Sequence, residues 1–506
     1  ALHGHVDAVN LLLERGASIH EKDTDGFAPL HSAASRGFIS IVNMLLDSGA
    51  SIDDKTKKGN TPLHFAAEKG HFDAVKLLLE RGASIDEKNT SGVTPLLYAA
   101  NKGRLDVVNL LLDRGANIHE KQEDGATPLY IAAQNGHLDV LNLLLDRGAK
   151  IDDKNTNGAT PLYIASQKGR MEVVNLLLER GAKINDKTKD GVTPLYIAAE
   201  IGHIDVVNLL LERGANIDEK QKDGATPLYI AAQNGNMHVV NLLLDRGARI
   251  DDKNVNGVTP LYIASQKGHL DVVNLLLDRG ANIHEKQKDG GTPLFVASVL
   301  GNVNVVNLLL DRGASIDDKT INGLTPLHLV APKGHTEVVK LLLERGASID
   351  EKANDGLTPL HLAATKGHID VVTLLIEKGA SINEKANDGW TPIHLATLKG
   401  QKEVVSLLLK NGADVILRDK HNKTPLDYAK NEEIKALFET AISRAEEESL
   451  TFSGSSGREG GGGGAAAADD RHETTWTGGA EESSKESEDA RDVSESIERV
   501  DTRRSI

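Results

Sequence analysis

The 506-residue chain contains no cysteine, and only 3% of its residues are aromatic. The absence of cysteine excludes disulfide scaffolds, thiolate zinc sites, iron–sulfur clusters and cysteine nucleophiles. So few aromatic side chains leave little material for the stacking surfaces that bind sugars or nucleobases. No apolar run approaches the roughly 18 residues of a membrane helix, so we expect no membrane insertion. The net charge of −16 argues against nucleic-acid binding.

Proline is scarce as well, but its placement is regular. Of the 14 prolines, all but Pro332 are spaced 33 residues apart, from Pro29 to Pro425. The glycine of a recurring Gly-Ala pair follows the same step, from Gly16 to Gly412. A fixed period of this length indicates an array of stacked units rather than a compact globule.

One unit, residues 124–157, shows what each repeat encodes. Thr127 is a good helix N-cap, and Pro128 suits the first helical position. A second and more apolar helix follows a glycine turn, and Gly148 fits a left-handed helix C-cap. The next residues predict a short extended hairpin. Neither helix can bury its apolar face alone, so each unit must stack on its neighbours.

The repeat resembles the ankyrin repeat. The likeness lies in the Thr-Pro-Leu-His/Tyr tetrapeptide, the Gly-His turn, the Val-Val-x-Leu-Leu-Leu helix and the Gly-Ala-x-Ile hairpin, and it covers residues 1–442 in about 13–14 repeats. It implies an all-α repeat solenoid of stacked helix-turn-helix units with short β-hairpin loops, forming a curved rod. In five middle repeats tyrosine replaces the family's histidine, which affects that residue's hydrogen bonds but not the fold. The tyrosines are Tyr130, Tyr163, Tyr196, Tyr229 and Tyr262.

Both ends of the array differ from its middle. The chain starts inside a repeat, so we interpret residues 1–24 as a truncated first repeat and the chain as a fragment. Residues 422–442 depart from the pattern as a C-terminal capping repeat should. Residues 443–506 are rich in glycine, serine and glutamate and carry 16 acidic and 8 basic side chains. This composition predicts a disordered acidic tail.

Two local features give narrower expectations. Pro332 lies late in a first helix and should shorten it, because proline lacks the N–H that an inner helical position donates. The resemblance also implies a modification. Asn185 and Asn383 occupy a hairpin position at which ankyrin-family proteins can be hydroxylated by an asparaginyl hydroxylase.

The sequence offers no convincing catalytic group. Most histidines recur with the repeat, which indicates a structural role. Acidic pairs such as Asp152 and Asp153 also recur once per unit, as expected for solvated hairpin charge rather than acid–base chemistry. We therefore predict a non-enzymatic protein with no catalytic residues, no cofactor and no metal site.

Ankyrin-like arrays typically bind proteins on the concave side, through hairpin tips and first helices. At the end of many first helices stands a basic residue. It complements the helix dipole, or it belongs to a track for an acidic partner on which the acidic tail could itself dock. The residues are Arg36, Lys69, Lys102, Lys168, Lys267, Lys333, Lys366 and Lys399.

The later repeats also carry apolar residues at such positions, where earlier repeats are mostly polar or small. They form an exposed contact site, or they pack on neighbouring hairpins inside the stack. The contact interpretation predicts that Trp390→Ala weakens partner binding by about 2 kcal/mol without unfolding the array. With Lys333, Lys366 and Lys399, the predicted protein-binding residues are Val299, Leu300, Ile321, Leu324, Leu357, Trp390 and Leu398.

Together these features predict a monomeric, rod-shaped interaction scaffold or adaptor that binds other proteins on its concave surface. Three alternatives stay open: the recognition arm of a larger enzyme, channel or ubiquitin-ligase subunit; a long-array toxin or effector; and a mechanical spacer. We expect a cytoplasmic location, with the nucleus and secretion as an effector as further alternatives.

Overall fold

The structure, a computed structural model, describes the backbone of residues 4–454 and side chains as far as residue 444. The chain divides into two units, Ala1–Asn282 and Ile283–Ile506, and the described residues of each form helix pairs that recur every 33 residues. Residues 455–506 lie outside the described residues, so the predicted disorder of the tail remains a prediction.

In the first unit, each pair consists of a first helix that starts at proline and a second helix that starts two residues after a glycine. The first helices are Pro29–Arg36, Pro62–Lys69, Pro95–Asn101, Pro128–Asn135, Pro161–Gln167, Pro194–Ile201, Pro227–Asn234 and Pro260–Lys267. The second helices are Val6–Glu14, Ile39–Asp47, Phe72–Glu80, Leu105–Asp113, Leu138–Asp146, Met171–Glu179, Ile204–Glu212, Met237–Asp245 and Leu270–Asp278.

The second unit has the same plan with irregular members near its end. Its first helices are Pro293–Val299, Pro326–Val330 with the 3₁₀ turn Ala331–Lys333, Pro359–Lys366, Pro392–Leu398 and the 3₁₀ helix Pro425–Tyr428. Its second helices are Val303–Asp311, Thr336–Glu344, Ile369–Glu377, Lys402–Lys410 and the long final helix Glu432–Gly454.

The final helix continues past the predicted start of the tail at residue 443. Ile434 and Phe438 are fully buried and anchor its first turns to the last repeat. Glutamate and alanine, which are good helix formers, supply six of the 16 residues from 439 to 454. Once nucleated by these anchors, the helix extends through residues whose composition alone indicates disorder.

The capping residues read from the sequence set the helix boundaries. The Thr127 hydroxyl oxygen accepts a hydrogen bond from the Tyr130 N–H at 3.2 Å, which satisfies one of the unpaired donors of the first turn. Gly136 ends the same helix in the left-handed conformation with φ of 83°. Pro332 shortens its helix as expected, because the α-helix stops at Val330 and a 3₁₀ turn continues to Lys333.

The connections between repeats turn back sharply but contain no strand within residues 4–454. In one connection, Thr56 N–H donates to the Asn60 carbonyl at 3.0 Å. The tip then joins its neighbour when Lys57 N–H donates to the Asp25 carbonyl, also at 3.0 Å. So few hydrogen bonds close a turn without forming the ladder of a β-hairpin.

The core is a layer of small and branched side chains repeated in each helix pair. Ala66 and Ala67 of one first helix are completely buried, as are Val75 and Leu78 of the second helix that follows. Alanine lets adjacent first helices approach closely, and the larger residues fill the space behind them. Each repeat therefore buries its apolar face on the next one.

Side-chain hydrogen bonds join the helix turns of adjacent repeats. The residue after the inter-helix glycine reaches back to the end of the preceding first helix, as His71 Nε2 does to the Ser35 carbonyl at 3.1 Å. Arg104 Nε donates in the same way to the Glu68 carbonyl at 3.3 Å. These donors satisfy carbonyl groups that the helix end leaves unpaired.

The recurring surface charges also connect repeats. Arg180 contacts Asp146 of the preceding repeat at 2.8 Å. In the loops between repeats, the Lys187 ammonium lies 2.5 Å from the Glu219 carboxylate. Exposed pairs such as these contribute about 0–1 kcal/mol each and weaken with salt. The predicted hairpin charge is thus solvated but paired between neighbours.

Histidine and tyrosine repeats differ in how the first helix is joined to the next loop. His361 Nδ1 accepts from the Thr358 N–H at 3.1 Å, and its Nε2 donates to the Trp390 carbonyl at 3.1 Å. In a tyrosine repeat, the Tyr196 hydroxyl instead accepts from Gln221 Nε2 at 2.7 Å. The replacement changes these hydrogen bonds and leaves the helix pair intact, as expected.

We expect stability to fall in mild acid because of the buried histidines. Burial lowers the pKa of His361 from its usual 6.5 to about 4. The unfolded chain therefore binds more protons between these values, and stability declines as the pH falls from 6.5 towards 4. This residue should contribute about 2 kcal/mol less at pH 5 than at pH 7.

Urea unfolding followed by circular dichroism at both pH values should show this loss. The variant His361→Tyr, which uses the residue found in the middle repeats, should show a smaller loss between pH 7 and pH 5. Equal losses in the variant and the natural chain would contradict the assignment.

Candidate functional site

Five of the seven apolar residues predicted in the later repeats gather into one cluster of the second unit, and Leu300 and Ile321 lie outside it. The residue before each Thr-Pro pair packs with first-helix residues Leu329, Leu362 and Leu395. The unit-2 apolar cluster comprises these three leucines and Leu324, Ala353, Leu357, Ala386 and Trp390, with Phe295, Val299, Leu398 and Tyr428 packed against it.

Three of the predicted contact residues are buried in this cluster. Leu324 is 8% exposed, Leu357 is 6% exposed and Trp390 is 4% exposed. The expectation that they lie open on the surface is therefore wrong, and the structure matches the alternative in which they pack inside the stack. The reason is that side chains of the next repeat cover these residues, and the position of a residue within its own repeat does not show this contact.

Trp390 illustrates this packing. Its ring centroid lies 4.8 Å from that of Tyr428, which belongs to the following repeat. Its backbone carbonyl accepts the hydrogen bond from His361 of the preceding repeat. Trp390 thus connects three successive repeats, and its indole supports the loop rather than projecting from it.

The edge of the cluster is more accessible. Val299 and Leu398 are only partly buried where they pack against it. They occupy the second-last position before the inter-helix glycine. In the two repeats that lie between them, Pro332 and Thr365 hold the equivalent position. The first unit carries polar residues there: Ser35, Glu68, Asn101, Gln134, Gln167, Glu200, Gln233 and Gln266. The second unit therefore replaces a polar row with a largely apolar one.

Two predicted contact residues are exposed. Leu300, directly after Val299, is 42% exposed at the end of its helix. Ile321 is 62% exposed at a loop tip, although its backbone N–H is bonded to the Asp289 carbonyl. Of the predicted apolar residues, these two offer the largest accessible fractions to a partner.

Positive charge lies beside the apolar edge. Lys333, Lys366 and Lys399, the lysine row, occupy the last position before the inter-helix glycine in three successive repeats. Lys333 follows Pro332, and Lys399 follows Leu398, so lysine and apolar edge alternate along these helix ends. The position also complements the helix dipole, as anticipated.

Negative charge lies on the loop side of the same cluster. The Asp388 carboxylate accepts a hydrogen bond from the Trp390 N–H at 3.1 Å. This carboxyl is half buried, and burial raises its pKa above the usual range. The Asp355 carboxylate makes the equivalent contact with the Leu357 N–H at 3.1 Å. The cluster therefore has the carboxylates of these loops on one side and the lysine row on the other.

The equivalent basic residues of the first unit stand in different surroundings. Lys69 and Lys102 lie 3.5 Å and 3.9 Å from the Glu68 carboxylate, so one carboxylate is close to both. No apolar row runs beside them, because Ser35, Glu68 and Asn101 hold the adjacent positions. These repeats thus provide a matched comparison for the lysine row.

Asn185 and Asn383 have a structural role in common. The Asn185 side-chain oxygen accepts from the Asn216 N–H at 3.0 Å, and that of Asn383 accepts from the Asp414 N–H at 2.8 Å. Aspartates do the same in other repeats, for example Asp350. Their hydroxylation remains a prediction.

Metal-binding and membrane-spanning features are missing from the part of the chain that the structure describes. Among these residues, no group of three or more histidine, aspartate or glutamate side chains is arranged to hold a metal ion. Within the same residues, every helix is too short or too polar to cross a bilayer.

Comparison with known proteins gives one clear result. The model of the family "Ankyrin repeats (3 copies)" matches residues 1–89, 52–122, 83–155, 151–221, 195–287, 251–320, 294–386 and 381–443. Among solved structures, the crystal structure of the human ASB11 ankyrin repeat domain is 33% identical. That match has a TM-score of 0.41 and covers 44% of this chain and 99% of that chain. No curated protein matches the chain.

The family match covers most of the chain and agrees with the tandem helix pairs. Ankyrin repeats generally form non-catalytic modules for protein–protein interaction. The chain belongs to the ankyrin-repeat family.

Proposed function

We propose that this chain is a non-enzymatic interaction scaffold or adaptor whose second unit binds a partner protein at the edge of the apolar cluster. The observation that carries the proposal is the replacement of polar residues by Val299 and Leu398 at a position that is polar throughout the first unit. Apolar groups that remain accessible beside charged ones are typical of contact sites.

The predicted residues divide into two roles in this proposal. Leu300 and Ile321, with the edge residues Val299 and Leu398, contact the partner. Leu324, Leu357 and Trp390 form the packed base that holds the edge in position. A rigid base reduces the ordering that binding requires and so favours affinity.

The lysine row selects the kind of partner. Lys333, Lys366 and Lys399 favour a segment with acidic side chains next to its apolar ones. Charges at the edge of an interface mainly speed association and exclude wrong partners, while apolar anchors supply most of the affinity. In this proposal the chain acts as a monomer in the cytoplasm, and its lack of cysteine suits a reducing compartment.

The double variant Ile321→Asn and Leu398→Gln should lose partner binding without loss of fold. Both changes use residues that the chain already carries at these positions, as in Asn354 and Gln266. Removing two accessible anchors should weaken binding at least about tenfold. Quantitative proximity labelling with the natural chain and the variant measures the loss for each partner.

The matched control is Val255→Asn. Val255 is 51% exposed at the equivalent loop tip of the first unit, so the same change is made away from the proposed site. The control should label the same proteins as the natural chain. Indistinguishable labelling by the double variant and the natural chain would overturn the proposed site.

Trp390→Ala should act on stability first. Removing a large aromatic side chain from a packed site costs about 3–5 kcal/mol. We expect urea unfolding of the final repeats at markedly lower denaturant concentration, whereas Ile321→Asn should shift stability by less than about 0.5 kcal/mol. A stable Trp390→Ala variant that loses only binding would restore the contact interpretation.

A further inference from the structure

The acidic C-terminal segment of this chain complements the site described above. We propose that residues 469–492, with Trp476 as anchor, dock in cis on the lysine row and the adjacent apolar edge and compete there with partner proteins. This inference rests on the proposed function, because it assigns an occupant to the same site.

The segment and the lysine row carry opposite charges. The lysine row presents three cations in successive repeats, which ordinary helix packing spaces about 8–10 Å apart. The segment carries acidic residues on both sides of its tryptophan. They are Asp469, Asp470, Glu473, Glu481, Glu482, Glu486, Glu488, Asp489 and Asp492. An extended chain advances about 3.3 Å per residue, so carboxylates at these intervals can meet successive lysines.

The segment also carries an apolar side chain that suits the edge of the cluster. Trp476 is the sole aromatic residue of positions 455–506 and stands between Glu473 and Glu481. At the site, Val299 and Leu398 are partly buried edge residues. Lys399 directly follows Leu398, and Leu300 holds the equivalent position after Val299. An indole flanked by carboxylates matches an apolar edge flanked by ammonium groups. Tryptophan is also among the residues favoured as interface anchors.

A short stretch of chain joins Trp476 to the final helix. Ile434 and Phe438 fix the start of the final helix to the last repeat, and Lys402 bonds to Glu433 at 2.6 Å. The 22 residues from Gly454 to Trp476 include a run of five glycines. A glycine-rich linker of this length has an average span of about 25 Å. Such a short tether corresponds to a millimolar effective concentration at a site within its span.

The first unit does not offer the same combination. Arg36, Lys69 and Lys102 also stand in three successive repeats, but the polar residues Ser35, Glu68 and Asn101 hold the positions beside them. An acidic segment would meet a like charge there, and no apolar edge would receive its tryptophan. The structure therefore favours the second unit as the docking place.

Zero-length carbodiimide cross-linking of the full chain, followed by peptide mass spectrometry, tests the contact directly. The reagent joins carboxylates to lysines that lie in contact. We expect links from Asp469, Asp470, Glu473, Glu481 or Glu482 to the lysine row. Links from the same carboxylates to Lys69 and Lys102 should be at least about tenfold fewer. Links distributed evenly over surface lysines would overturn the proposal.

Two variants of the full chain separate the charge from the anchor. Trp476→Ala should reduce links to the lysine row about tenfold while every lysine is retained. The double variant Lys366→Asn and Lys399→Asn introduces the residue that the chain carries at the equivalent positions Asn135 and Asn234. This double variant should reduce links to the remaining lysine, Lys333. The matched pair Lys69→Asn and Lys102→Asn should leave those links unchanged. Insensitivity to both Trp476→Ala and the Lys366 and Lys399 pair would contradict the proposal.

Mixing nitrogen-15-labelled and unlabelled chains identifies the occupant. Links within one isotope form support docking in cis, whereas links between the two forms make a second copy the occupant and overturn it. The competition is tested by proximity labelling, in which Trp476→Ala should increase labelling of partners lost in the Ile321→Asn and Leu398→Gln variant. If that variant loses partners while no specific cross-links form, the proposed function stands and the inference fails.

Discussion

The structure depends on one constraint: a pair of short amphipathic helices cannot bury its apolar face without a neighbour on each side. Alanine at Ala66 and Ala67 brings first helices close together, and Val75 and Leu78 complete the buried layer. Because each repeat contacts mainly the next, stability is close to a sum of repeat and interface terms. Polar groups follow the same logic, since they bond to the preceding or following repeat.

This arrangement explains how a site can arise without altering the fold. Residues that face the neighbouring repeat are constrained by packing, whereas the second-last residue before the inter-helix glycine is freer to vary. The first unit holds Gln134 and Gln167 at this position, and the second unit holds Val299 and Leu398. The same scaffold therefore presents a polar surface in one unit and an apolar edge in the other.

The sequence was sufficient for the helix boundaries, which are decided within one repeat. Thr127 and Pro128 start a helix and Gly136 ends it, because caps and backbone preferences are local. Pro332 shortened its helix for the same kind of reason. The fold class followed from repetition of these signals at a fixed period.

Features decided between repeats were harder to predict. Leu324, Leu357 and Trp390 hold loop positions that suggest exposure, yet all three are buried in the unit-2 apolar cluster, where Tyr428 of the next repeat lies against Trp390. Lys187 and Glu219 read as solvated charge when each repeat is considered alone. The period tells which residues share a position, but their contacts depend on the stacking distance and on the side chain opposite.

The hydrogen bonds that reach back from one helix turn to the preceding repeat have an evolutionary consequence. Histidine at His71, arginine at Arg104, asparagine at Asn236 and glutamine at Gln401 all donate to a carbonyl at the same place in the preceding repeat. A junction that accepts four different donors tolerates new neighbours. Unequal recombination can therefore insert or remove whole repeats without a compensating mutation, and the near-duplicate stretches 122–186 and 221–285 are the expected trace of such events.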